Sequence, residues 1–196
     1  METNRLEAIS DGVFAVIITL MVLEMKVPHG SDLHALEPVL PVFLTYVLSF
    51  IYLGIYWNNH HHLLRAAPCI NGAIMWANLH LLFWLSLFPF VTGWMGENHF
   101  TSIPSALYGA ILLLAAIAYY ILQCLIVAEA GRDSKLATAL GADWKGKISP
   151  LLYLLGIAIS FFQPWIANGI YAVVALTWLI PDRRLARVLE EPKRPI

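Results

Sequence analysis

Charge is what this chain lacks. Of its 196 residues, 13% are Asp, Glu, Lys or Arg, against roughly 25% in an ordinary soluble domain. The signs nearly cancel, with 12 basic residues against 13 acidic ones. That leaves too little polar surface to cover a soluble domain and no basic face for nucleic acid. Cysteine is scarce as well: Cys69 and Cys124 offer neither a disulfide framework nor a zinc pattern. No nucleophile elbow, phosphate-cradling glycine loop or pair of catalytic carboxylates occurs, so the chain is not expected to be an enzyme or to carry a cofactor. There is no long linker or low-complexity tract. What is abundant is apolar: 59% of residues are hydrophobic and the mean hydropathy is +0.69. A soluble domain and a disordered chain are excluded. An all-α protein whose partner is the lipid bilayer remains.

The few charges divide the chain into spans. Glu37 and Arg65 bracket 27 uncharged residues, Arg65 and Glu97 bracket 31, Glu97 and Glu129 bracket 31, and Lys147 and Asp182 bracket 34. A spanning helix takes about 20 mostly apolar residues, so each of the first three gaps holds one. The fourth is too long for one helix and carries Gln163-Pro164 near its middle, where proline ends a helix. It reads as two short helices, about 148–162 and 165–181, with Lys145 and Lys147 snorkelling at the inner end. An N-terminal helix over about 5–26 brings the count to six. The chain then divides into a six-helix domain, 1–181, and a short tail, 182–196.

Charge placement sets the orientation. With six spans, eleven of the twelve basic residues fall on one side: Arg5, Arg65, the 4–5 loop and the tail. Lys26 alone falls on the other. The positive-inside rule makes both termini cytoplasmic, and no cleavable signal is expected. Leu87-Phe88-Pro89 predicts a kink late in the third span. Gly156 and Ser160 suit close helix packing.

The first helix is anomalous. Its charge-free stretch, Gly12 to Leu23, is only 12 residues. Asp11 and Glu24 are therefore separated by roughly 20 Å, short of the ~30 Å hydrocarbon layer. A carboxylate at membrane depth has to face protein or water, which predicts a central helix. At 100° per residue Arg5, Ile9, Gly12, Val16, Thr19, Leu20, Leu23 and Val27 form one stripe, with Ser10 and Asp11 on the opposite half. A stripe of this spacing is expected in any membrane helix and by itself fits a lipid face or a helix contact better than a pore.

Arg5-Leu-Glu-Ala-Ile-Ser-Asp11, followed by Gly-Val-Phe-Ala-Val-Ile-Ile-Thr-Leu, resembles the opening of the transmembrane protein 175 family, cation channels of lysosomes and bacteria. The family motif is Arg-x-x-x-Phe-Ser-Asp. Arg5, Ser10 and Asp11 match it, and Ile9 stands at the aromatic position. The resemblance implies a homotetramer of six-helix units in which helix 1 lines a central pore. It implies a constriction at Val16, five positions after the motif aspartate, with further layers at Leu20 and Leu23. Thr19, eight positions after that aspartate, matches a threonine tied to potassium preference. Arg5, Ser10 and Asp11 are implied to hold helix 1 against its neighbours, with Asn78 and His80 as candidate partners of Asp11. The chain contains no Thr-Val-Gly-Tyr-Gly loop, so carbonyl coordination of the usual kind is not expected. Aliphatic rings would make a poorly wetted neck through which K⁺ ions pass.

The expected protein is thus a homotetrameric, potassium-permeable channel of a prokaryotic cytoplasmic membrane. Two alternatives stay open: a small proton- or cation-coupled secondary transporter, and a membrane metalloenzyme built on His60, His61 and His62. Consecutive histidines point three ways around a helix, so they are expected to form a polar cluster with no metal bound.

Overall fold

The computed structural model describes residues 3–131, 134, 136–138 and 144–179, and its regular elements are all helical. Helix α1 covers Thr3–Leu23, α2 Leu40–Arg65, α3 Gly72–Ser86, α4 Phe88–Glu97, α5 Ser102–Ala130, α6 Trp144–Ser160 and α7 Pro164–Leu179. A 3₁₀ turn, Leu33–Val39, leads directly into α2. The tail 182–196, with Arg132 and Lys135 of the 4–5 loop, lies outside the described residues.

Among the described residues, four helical stretches are long and apolar enough to cross a membrane: Thr3–Leu23, Leu33–Arg65, Gly72–Glu97 and Ser102–Ala130. Helices α6 and α7, with 17 and 16 residues, are the short pair expected around Gln163-Pro164. Helix α6 ends at Ser160, two amides fold back on the Ile159 carbonyl, and Pro164 opens α7. Proline fits there because a first-turn residue has no intrahelical acceptor for its N–H. The third stretch is broken at Leu87, with Pro89 in the first turn of α4. Leu87 donates to the Trp84 and Leu85 carbonyls, which tightens the last turn of α3 at the expected kink.

The helix ends explain themselves locally. Asp32 caps the 3₁₀ turn by accepting from the Ala35 amide, and Asn71 caps α3 by accepting from Ile74. The 66–71 link is tied to α5 by one carboxylate. Glu129 accepts from the Cys69 thiol at 2.9 Å and from the Asn71 amide at 2.8 Å. That hydrogen bond pushes the Cys69 thiol pKa up, because the proton is held by the acceptor. At the other end Lys26 donates to Glu97 at 2.6 Å. The contact raises the lysine pKa, but both groups are too exposed for it to stabilise much.

Helix α5 is the hub, packing against α3 and α6, while α6 packs on α7 and α2 on α4. Small residues permit the closest approaches. A Cβ on Gly96 of α4 would stand 2.5 Å from the Val42 Cα of α2. Tyr171 of α7, fully buried, threads its ring between Gly109 of α5 and Gly156 of α6. Gly156 thus has the packing role its spacing predicts, with an aromatic ring as its partner. Helix α1 packs on α2, α3 and α4 by one side only. Its buried residues are Leu6, Ser10, Phe14, Ile17 and Met21, at the spacings of one helix face.

Candidate functional site: the two faces of the first helix

The buried face of α1 is held by hydrogen bonds. Ser10 is completely buried and donates to the Leu6 carbonyl at 2.9 Å. Its oxygen accepts from Asn78 Nδ2 at 3.0 Å. The Asn78 carbonyl oxygen then faces His60 Nε2 at 2.6 Å. Since Asn78 uses its NH₂ on Ser10, His60 is the donor, which fixes the proton on Nε2. One chain of bonds joins α1, α3 and α2 through three side chains that are fully buried. His60 Nδ1 has no partner among the described residues.

A second tie runs alongside. Asp11 Oδ1 accepts from Trp57 Nε1 at 2.9 Å, and Glu7 contacts His61. Glu7 and Asp11 are one turn apart on α1, as Trp57 and His61 are on α2, so two donors meet two acceptors along adjacent turns. Asp11 thereby gains a polar partner of the kind a carboxylate at membrane depth needs. The sequence carried a sign of this in the matched four-residue spacings. The partner is Trp57, in place of the two expected residues. Asn78 serves Ser10 and His60, and His80 is exposed and accepts from Trp84 Nε1 at 2.8 Å. His80 points away because it lies two positions beyond Asn78, about 200° around the helix.

The histidine run divides as the helix geometry requires. His60 goes to Asn78, His61 to Glu7, and His62 stacks edge-on against His61 with ring centroids 5.5 Å apart. Among the described residues no group of three His, Cys, Asp or Glu side chains converges on a metal position.

The other face of α1 is bare. Arg5, Ile9, Gly12, Val16, Thr19, Leu20 and Leu23 of the stripe read from the sequence are all exposed, whereas Val27, also exposed, lies beyond α1, which ends at Leu23 and stops short of the expected 26. Val16 is 57% exposed, Leu20 47% and Leu23 72%. Arg5 forms no ion pair among the described residues. Thr19 donates its hydroxyl proton to the Ala15 carbonyl at 2.8 Å, which leaves only oxygen lone pairs to face outward. The helix is thus bonded firmly on one side and carries a greasy row with one hydroxyl oxygen on the other.

A testable consequence concerns Asp11. Asp11→Ala removes the acceptor of Trp57 and is expected to lower thermal stability by about 1–2 kcal/mol, with assembly affected more than selectivity. Melting and size-exclusion profiles in detergent check the first, and ion flux checks the second. Normal assembly with altered selectivity would reverse the assignment.

These features define a multi-pass helical membrane protein whose first helix is anchored by a polar network and open on the opposite face. The family model described as the endosomal/lysosomal potassium channel TMEM175 matches residues 5–89. A protein of Chryseobacterium sp. named as a potassium channel is 56% identical over 191 residues, covering 97% of this chain and 100% of its own. The crystal structure of a lysosomal potassium-selective channel TMEM175 homolog from Chamaesiphon minutus superposes with a TM-score of 0.77 at 30% identity, covering 92% of this chain and 98% of that one. The human endosomal/lysosomal proton channel TMEM175 is 37% identical over 75 residues, 32% of this chain and 15% of its own. The chain belongs to the TMEM175 family. Its relatives are channels, not enzymes.

Proposed function

We propose that this protein is a potassium-permeable cation channel in which α1 from four copies surrounds a central conduit. The observation that carries the reading is the exposed stripe on α1, opposite a face locked by Ser10, Asn78, His60, Asp11 and Trp57. A helix fixed so firmly from behind presents its free side in a definite register. Val16, Leu20 and Leu23 would then form successive aliphatic rings, and Thr19 would add oxygens between the first two. In such a neck water is held weakly, so the segment empties easily and a permeating ion sheds part of its shell. Ions with weaker hydration cross at lower cost, which gives K⁺ an advantage over Na⁺. The permeant ion is substrate, and no cofactor is needed.

Each subunit would cross the membrane six times, with α6 and α7 as a short closing hairpin. Both termini would lie in the cytoplasm of a prokaryotic cell, the bilayer thinning or Lys145 snorkelling at the short helices. A secondary transporter would need an internal inverted repeat, and helices 1–3 and 4–6 do not resemble each other in sequence. The separate engagements of His60 and His61 argue against a metalloenzyme.

The deciding experiment reconstitutes the protein in liposomes and compares K⁺, Na⁺ and H⁺ flux. Passive K⁺ flux exceeding Na⁺ flux is expected. Saturable transport at fixed stoichiometry with a second ion would replace the channel by a carrier. Within this framework, Val16→Ala or Leu20→Ala widens and wets a ring. Each is expected to raise K⁺ flux several-fold and weaken K⁺ over Na⁺ discrimination, as read from flux and reversal potentials. Unchanged currents in both variants would count against the stripe.

A further inference from the structure

Helices α6 and α7 form a pair that is shorter than its neighbours and tied at both ends. They hold 17 and 16 residues, whereas α5 beside them holds 29. Gln123 of α5 stands level with Gly146 and Ser149 of α6, where all three line one space, and α5 runs on to Ala130, about 10 Å further. At that end Lys145 Nζ donates to the Thr177 carbonyl, in the last turn of α7, at 3.0 Å. The ammonium is therefore held beside the pair, on a carbonyl left over at the negative end of α7, and does not reach past the helix ends. At the opposite end the Trp165 ring rests on Phe100 of the turn between α4 and α5, with ring centroids 4.9 Å apart. Glu97, three residues before Phe100, forms its exposed ion pair with Lys26, so the tip stands near the level where charge and water begin. With both ends tied, the pair cannot slide to lengthen its reach.

Between those ties the outward surface is apolar without interruption. No Asp, Glu, Lys or Arg occurs from Ile148 to Pro181. Leu151 and Leu176 are exposed on the flanks, and Phe161, Phe162 and Trp165 at the tip are 60%, 83% and 66% exposed. Aromatic rings crowded at one turn belong at the ester and headgroup level of a lipid leaflet. From Lys145 to Phe162, at 1.5 Å per residue, is about 25 Å, and any tilt shortens it. An ordinary hydrocarbon layer is about 30 Å thick. A short span is accommodated by snorkelling, by packing against a second copy or by thinning of the bilayer. The bond from Lys145 to Thr177 opposes the first. Helix α1 packs on α2, α3 and α4, whereas the pair packs mainly on α5, so in an assembly built round α1 it lies at the periphery, against lipid. We propose that the α6–α7 pair is a lipid-facing surface that thins the surrounding bilayer to about 25 Å and so gathers short-chain phospholipids around the protein. The peripheral placement rests on the assembly proposed above; which ion passes does not enter.

The test uses the full-length protein in bilayers. Cys69 and Cys124, both exposed, are replaced by serine, and a nitroxide is placed at Phe162→Cys or at Trp144→Cys, the two ends of α6. Collision with oxygen and with a water-soluble nickel complex gives the depth of each label in dioleoyl phosphatidylcholine. Both labels are expected at the ester level. Quenching of tryptophan fluorescence by brominated lipids then compares dimyristoleoyl with dierucoyl phosphatidylcholine around the protein. A preference of about two- to threefold for the shorter chain is expected, the modest factor that a small mismatch produces. Lys145→Met combined with Lys147→Met removes the charges that set the inner boundary. It is expected to let the Trp144→Cys label sink into hydrocarbon and to abolish the preference, with melting temperatures verifying that the variant folds. The proposal is overturned if either label in the parent lies in hydrocarbon or in bulk water, if the parent does not discriminate between the two lipids, or if the folded lysine variant keeps the preference. Magnetic coupling between Phe162→Cys labels of different copies would also overturn it, by placing protein and not lipid against the tip.

Discussion

Asn78→Leu is expected to be among the most damaging single substitutions on α3, lowering stability by about 2–4 kcal/mol. Asn78 is fully buried and is the only link between Ser10 on α1 and His60 on α2 among the described residues. Leucine has the same branched shape and is larger, so no void is left, and the loss comes from polarity with some overpacking. It strands the His60 Nε2–H and a Ser10 lone pair where water does not reach. Melting in detergent, followed by size exclusion to detect dissociation, measures the effect. The diagnostic is the cycle with Ser10→Ala and His60→Leu. Replacing all three groups by apolar ones removes the stranded atoms and is expected to recover much of the lost stability. A parent-like melt for Asn78→Leu alone would show that the chain of bonds contributes little.

Gly96→Ala is the second. The added methyl would stand 2.5 Å from the Val42 Cα and 3.0 Å from its amide nitrogen. Backbone cannot rotate aside as a side chain can, so α4 has to move away from α2. Overpacking of this kind costs about 1–3 kcal/mol, occasionally more. Gly54→Ala, on the same helix as Val42 but facing open space, is the control, expected to change stability little. Equal melting temperatures for the two variants would contradict the close α2–α4 contact.

The fold was legible wherever charge or proline interrupted the apolar runs. Pro89 and Pro164 marked the break in the third stretch and the turn between the last two helices, and both interruptions are observed. The 3₁₀ turn before α2 was not foreseen. It arises because Pro38 and Pro41 restrict the approach, while the charge count only placed the helix somewhere after Glu37. Which residues share the α1 stripe followed from the helical period, but the period did not say whether that stripe would be open or packed. The partners on the other face did not follow. Asn78 was a candidate because it is polar in an apolar run, but the period of α3 alone does not say which α1 residue it meets. Trp57 was not foreseen as a partner, and only the four-residue spacing that it and His61 share with Glu7 and Asp11 pointed to it.

The bond from Thr19 to Ala15 has a further consequence for a pore built on α1. With its proton committed inward, the hydroxyl offers only negative partial charge to whatever passes, and no fixed carboxylate is involved. Preference for cations over anions would then rest on dipoles held by the helix backbone. Mobile counter-ions neutralise a ring of carboxylates but have nothing comparable to pair with here, so anion exclusion is expected to persist in concentrated salt.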